Sequence, residues 1–285
     1  MEERDQYSPS RWVVRVHPDQ AVPLHLEVVT NASITARKEV PHLLDLQYGK
    51  RKYQHIDLYG TDLPKDSPVF VYIHGGFWQM LSKDLSAYTV IPLWKAGIKC
   101  VVVDYDLVPS VTLDAIVEEI KELAVFVLNM AKENGSKNVW FGGHSAGAHL
   151  TASLLEPDWF NSLEPGLRQL IKGVVLISGI FDTTALIHTS ENVALQLTEK
   201  SALELSPIFK EGNLEILGEF MALVVVAEHD SPAFHNQSQQ YSELLKKKNI
   251  KTEFLKLLNT DHFNIVENLQ NSSFELTTKI IELIK

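Results

Sequence analysis

Gly143, Ser145 and Gly147 have the spacing most suggestive of chemistry. They form a G-x-S-x-G pattern within N-V-W-F-G-G-H-S-A-G-A-H-L, residues 138–150. Val139-Trp140-Phe141 reads as a buried strand that stops at Gly142-Gly143, and 148–155 has the composition of a helix. In that setting the pattern is a turn so tight that a side chain at 143 or 147 would strike neighbouring backbone. The serine hydroxyl is left at the tip, where the N–H groups opening the helix favour a developing negative charge. The chemistry predicted is nucleophilic attack by Ser145. A plain glycine turn with a buried, hydrogen-bonded serine would show the same pentapeptide, so the decision rests on the rest of the chain.

A second stretch points the same way. The apolar run 69–73 ends in His74-Gly75-Gly76-Phe77-Trp78. When a serine attacks a carbonyl, the oxygen becomes negative and needs two or three preorganised N–H donors. The N–H groups of Gly75, Gly76 and Ala146 are the candidates for this oxyanion hole. His74 and His144 flank the glycine turns and are expected to brace them.

A serine also needs a base and an orienting carboxylate. Eleven histidines are available. His188, His229, His235 and His262 follow the elbow at a distance, and His262 falls in the loop after the last predicted strand, which makes it the candidate base. Asp230, in the loop after the penultimate predicted strand, is preferred as the acid. Glu228, at the strand end, and Asp182, one strand earlier, are the runners-up. Asp261 adjoins His262, where contact with Nδ1 is awkward, and reads instead as a cap for its own loop.

These residues need a scaffold, and the hydrophobic pattern supplies one. Strands are predicted at 69–73, 99–105, 139–141, 173–178, 220–227 and 251–257. Helices are predicted at 86–96, interrupted by Pro92, and at 112–133, 234–248 and 273–284. The 112–133 helix has a stripe of Ile116, Ile120, Leu123 and Val127, with Thr112 as N-cap. The alternation predicts an α/β fold with a mostly parallel central sheet flanked by helices. The chemistry then falls in loops at the carboxyl ends of strands. Residues 1–45 are less regular: 7–12 read as extended or turn, and 30–44 as partial helix up to Pro41. Residues 46–59 read as an outer hairpin turning at Gly49-Lys50. The 183–218 segment lacks periodicity and reads as a lid or pocket wall. No linker divides the chain, so 1–285 is taken as one domain, with 1–45 packing near the site.

Composition narrows the partners. The chain has 285 residues, 45% hydrophobic, and a formal net charge of −10. An acidic chain without a dense basic patch argues against nucleic acid and anionic membrane as partners. Lys246-Lys247-Lys248 reads as a solvated helix end. The single cysteine, Cys100, lies in an apolar run and allows no internal disulfide, which fits a reducing compartment. The N-terminus is polar and mostly acidic, with no apolar h-region. A cytoplasmic location is expected.

Several stretches together resemble the kynurenine formamidase (arylformamidase) family of the α/β-hydrolase superfamily. They are His74-Gly75-Gly76-Phe77-Trp78-Gln79, Gly143 to Leu150, Asp261-His262-Phe263, the YSPSRW stretch at 7–12, the NVALQLT stretch at 192–198 and the IVENL stretch at 265–269. The catalytic pieces are shared with many esterases; YSPSRW and NVALQLT are more specific. The resemblance implies an α/β-hydrolase fold and hydrolysis of N-formyl-L-kynurenine to L-kynurenine and formate, in tryptophan catabolism. Ser145 is then the nucleophile, Asp230 the acid and His262 the base, with no metal and no cofactor. It implies an aromatic substrate in a pocket to which His74, Phe77 and Trp78 are assigned, with Trp12 a further candidate. The family commonly has tyrosine where this chain has Phe77. A broad-specificity carboxylesterase using the same triad and a non-catalytic binding module are the competing readings. A homodimer is left open.

Overall fold

The computed structural model describes residues 6–285. At its centre is an eight-stranded sheet. The strands are β1 (His42–Gln47), β2 (His55–Tyr59), β3 (Val69–Ile73), β4 (Lys99–Val103), β5 (Val139–His144), β6 (Ile171–Ile177), β7 (Met221–Ala227) and β8 (Lys251–Leu257). Their spatial order is β1-β2-β4-β3-β5-β6-β7-β8. β2 runs antiparallel to β1 and to β4, and all pairings from β4 across to β8 are parallel.

The central parallel strands are continuous apolar runs because helices cover both faces of the sheet. Successive side chains alternate between the two sides. Val71 and Ile73 of β3 enter one core with Ile116, Ile120 and Leu123 of the Leu113–Glu133 helix. Phe70 and Tyr72 enter the other, with Val29 and Ala36 of the Pro18–Glu39 helix and Ile280 of the Glu275–Ile284 helix.

Strand order positions the chemistry. β3 and β5 are neighbours, as are β7 and β8, with β6 between the pairs. The loops carrying the glycines, the serine, Asp230 and His262 therefore emerge along one edge of the sheet.

Four local expectations need correction. β5 does not stop at Gly142-Gly143; both pair with β6, opposite Val175 and Leu176. Gly142 is needed for packing, since an added Cβ would stand 2.5 Å from the Phe70 ring. The N-terminal helix runs Pro18–Glu39, not 30–44: Pro18 opens it, Pro23 is carried inside, and Ala21, His25, Val29, Ala32 and Ala36 form its buried stripe. Residues Pro9–Trp12 form a 3-10 turn opened by Pro9, which agrees with the turn expected there. The outer hairpin pairs 42–47 with 55–59 across a longer connection. A register shift between Leu43 and Leu46 breaks the period-2 pattern there. Pro92 sits in the first turn of the Val90–Lys95 helix, where its missing N–H costs nothing. Among the described residues, no helix is long and apolar enough to cross a membrane.

Candidate active site

Ile73 pairs with Gly143, so the loop leaving β3 and the turn leaving β5 emerge side by side. Ser145 has φ 56° and ψ −119°, a strained conformation for a residue with a side chain. It is held by its backbone: the N–H donates to Ile177 O at 2.8 Å, and its carbonyl accepts from the N–H groups of Ala148 and His149. The flanking glycines are sterically required. A Cβ at Gly147 would stand 2.1 Å from Ile73 O and 2.5 Å from His74 O, and one at Gly143 would stand 2.2 Å from Gly147 O. Those neighbours are backbone atoms of β3, of the residue that follows it and of the Ala146–Ser153 helix, and cannot turn aside as a side chain could. Gly147→Ala is therefore expected to destabilise the fold by about 3 kcal/mol or more. Urea unfolding of the variant checks this, and an unchanged midpoint would contradict the steric account.

The first loop lies against this turn. A Cβ on Gly75 would be 2.8 Å from His144 O and 3.1 Å from Ser145 Cβ. Gly76 has φ +101°, a region open to glycine. Ala146 is the first residue of the Ala146–Ser153 helix, so its N–H has no partner within the helix. The geometry thus gathers Gly75 and Ala146 around Ser145.

β7 and β8 bring together the other pair. His262 Nδ1 lies 2.7 Å from Asp230 Oδ1, and both side chains are buried. The other oxygen, Asp230 Oδ2, accepts from Ser178 Oγ at 2.5 Å and from Ala227 N at 3.0 Å. The Asp230 carboxylate is thus held from the ends of β6 and β7. Asp182 Oδ1 instead accepts from Thr184, and Glu228 Oε2 from Asn259 N. Asp261 Oδ1 accepts from the N–H groups of Phe263 and Asn264, which shapes the loop around His262.

Ser145 and His262 line one cavity of about 250 Å³, together with His144, Phe77, His25 and Glu191. Residues 7–10 close part of its wall. The His144 ring packs on His262 at 4.6 Å. Burial, with a smaller contribution from His262, holds the His144 pKa well below the usual histidine value, which favours a neutral ring beside His262. The N-terminal segment is tied to the same loop by ion pairs. Arg15 Nε contacts Asp261 Oδ2 at 2.7 Å, and Arg15 Nη2 contacts Glu267 Oε1 at 2.8 Å. His25 Nδ1 meets that same Glu267 oxygen at 3.0 Å.

A model of the alpha/beta hydrolase fold matches residues 70–265. The kynurenine formamidase of Danio rerio is 34% identical over 281 residues, 98% of this chain and 94% of that protein. The chain belongs to the kynurenine formamidase family of α/β hydrolases. The kynurenine formamidase of Drosophila melanogaster is 29% identical over 92% of this chain and 88% of its own. An esterase from the archaeon Pyrobaculum calidifontis superposes with a TM-score of 0.69 at 20% identity, covering 93% of this chain and 92% of that one, which speaks to fold alone. Family membership makes the chain a hydrolase, with a formamide as the bond the family cleaves.

Two of the three expected pocket residues are misplaced by the sequence reading of this formamidase-family chain. Phe77 lines the cavity; His74 and Trp78 do not. His74 is fully buried beneath the glycine loop, stacked on Tyr105 at 4.4 Å, with Nδ1 2.8 Å from Gly75 O. Its place is under the loop, as a brace. Trp78 is fully buried against the edge of His149, 4.9 Å away. Burial lowers the His149 pKa to about 4, and its Nε2 meets Leu205 O at 2.8 Å. Trp12 is also outside the cavity wall. Cys100 is buried in β4, and burial pushes its thiol pKa up, away from nucleophilic use. Within 183–218, Glu191 reaches the cavity, while Leu186, Leu195 and Ala202 pack into the core.

Sequence reasoning missed Ser178, His25 and Glu191. Ser178 follows the last residue of β6, a place where strand-end chemistry is expected. His25 lies on the 3.6-residue stripe that continues through Val29 and Ala36. Glu191 has no pattern that would mark it.

Proposed function

We propose that the chain hydrolyses N-formyl-L-kynurenine to L-kynurenine and formate, a step of tryptophan catabolism, through Ser145, His262 and Asp230. The observation that carries this is the buried His262–Asp230 pair at 2.7 Å, opening onto the same cavity as a serine on a strained strand-to-helix turn. The names of the fish and fly relatives support the substrate.

In this reading Ser145 Oγ attacks the formyl carbon while His262 Nε2 takes its proton. The carbonyl oxygen becomes negative and is met by the N–H groups of Gly75, Gly76 and Ala146. The tetrahedral centre collapses, the C–N bond breaks, and His262 returns the proton to the departing aryl nitrogen. Water, deprotonated by His262, then attacks the formyl ester; the ester C–O bond breaks, His262 gives that proton to Ser145 Oγ, and formate leaves. Asp230 holds the ring so that Nδ1 carries a proton and Nε2 is free to accept one. An aryl amine leaves more readily than an alkyl amine, so an esterase-type site suffices for this amide.

Turnover assays on N-formyl-L-kynurenine and p-nitrophenyl acetate test the proposal. The expected result is a higher kcat/KM for the formamide. A strong preference for the ester would favour a broad carboxylesterase, and failure of a serine-directed covalent probe to label Ser145 would remove the mechanism altogether.

A further inference from the structure

Resting on the substrate proposed above, we infer that Glu191 is the residue that recognises the substrate's α-ammonium group and gives the site its preference for an amino acid over other aryl formamides. Its position carries the assignment. Glu191 comes from the 183–218 segment, far from the reacting loops in sequence, yet its side chain lines the cavity that holds Ser145 and His262. Among the described residues lining that cavity it is the one acid, and no lysine or arginine is present. An ammonium group entering this space meets a single full negative charge. The α-carboxylate, attached to the same carbon, finds no matching cation there, so the ammonium is the charge this lining selects.

The carboxylate is also fixed with respect to the chemistry. Glu191 Oε2 accepts from Gln79 Nε2 at 2.7 Å, and the Gln79 backbone N–H donates to Gly76 O at 2.9 Å. Gln79 thus ties Glu191 to the loop that contributes oxyanion donors. A carboxylate has about four acceptor sites, and the amide uses one of them. The remaining capacity suits an ammonium with three donors, which prefers charge-assisted partners. Tethering through Gln79 would align the amino-acid end of the substrate while its formyl carbon sits at Ser145, an orientation effect of the kind that positions reacting groups.

The test is a selectivity ratio. In the wild type, kcat/KM is measured for N-formyl-L-kynurenine and for its desamino analogue, 4-(2-formamidophenyl)-4-oxobutanoate, and the same ratio is measured in Glu191→Gln. The preference for the amino substrate is expected to fall roughly 10- to 100-fold, the range for losing a charged hydrogen bond. A purely structural tie between Glu191 and Gln79 would weaken both substrates alike, so an unmoved ratio overturns the assignment. Direct binding gives a readout without turnover: Kd for N-formyl-L-kynurenine should rise about tenfold or more from Ser145→Ala to Ser145→Ala/Glu191→Gln, and equal Kd values would overturn it as well. Wild-type inactivity on N-formyl-L-kynurenine would remove the substrate proposal and this assignment together. Wild-type activity with unchanged selectivity in the variant would remove this assignment alone.

Discussion

Replacing Ser145 with alanine is expected to lower kcat on N-formyl-L-kynurenine by roughly 10⁴- to 10⁶-fold, the scale of nucleophile knockouts in triad enzymes. The fold should survive, because the elbow is held by backbone. Ser145 N–H reaches Ile177 O, and its carbonyl accepts from Ala148 and His149; alanine keeps all three bonds. Alanine also carries the same Cβ, so the strain at φ 56° is unchanged. Circular dichroism and thermal unfolding should match the wild type. His262→Ala should cost a similar factor, and the double variant little more than either single one, because the two groups act as one unit. Activity of Ser145→Ala within tenfold of wild type would rule out the serine as nucleophile.

Asp230→Asn is expected to cost roughly 10⁴ in kcat, by analogy with the acid of a Ser-His-Asp triad, and the hydrogen bonds around it say why. Asp230 Oδ2 accepts from both Ser178 Oγ and Ala227 N. The backbone N–H can only donate, so the asparagine oxygen must take this side. Its NH₂ group is then left facing His262 Nδ1, now 2.7 Å from an oxygen. An NH₂ donor there needs Nδ1 as acceptor, which moves the ring proton to Nε2. A ring protonated at Nε2 cannot accept the proton of Ser145. The protein should still fold, since the asparagine has the same shape and keeps the Ala227 and Ser178 contacts. Steady-state kinetics alongside a melting curve separates the two effects. More than a tenth of wild-type kcat in a well-folded Asp230→Asn would show that the tautomer of His262 does not limit the reaction.

Features with local causes were legible in the chain. Gly143 and Gly147 follow from the tightness of a turn spanning five residues, and the same contacts appear as 2.1–2.2 Å clashes for any added Cβ. The strands from 69 to 227 were legible because burial on both faces makes them largely apolar runs, whereas β8, Lys251–Leu257, lies at the sheet edge and is mostly half-buried or exposed. That Asp230 and His262 meet was legible from position, as loop residues after the last two strands. That inference works because parallel strands gather their carboxyl-end loops on one edge.

The pocket wall was not legible, and Phe77 and Trp78 show why. They are adjacent, with φ values of 50° and 57°. Neither the period of a strand nor that of a helix applies to such a turn, so nothing in the sequence indicates that one ring faces the cavity and the other the core. The supporting contacts were hidden for a different reason. Ser178 reaches Asp230 across 52 residues of chain, Gln79 reaches Glu191 across 112, and His25 reaches Glu267 across 242. By itself the sequence determined which residues have the chemistry to react and the order of elements that carries them, because both are written in short-range steric and hydrophobic patterns. Only the tertiary structure decided what surrounds them, because a side chain's partner across the sheet is set by how whole strands and helices pack.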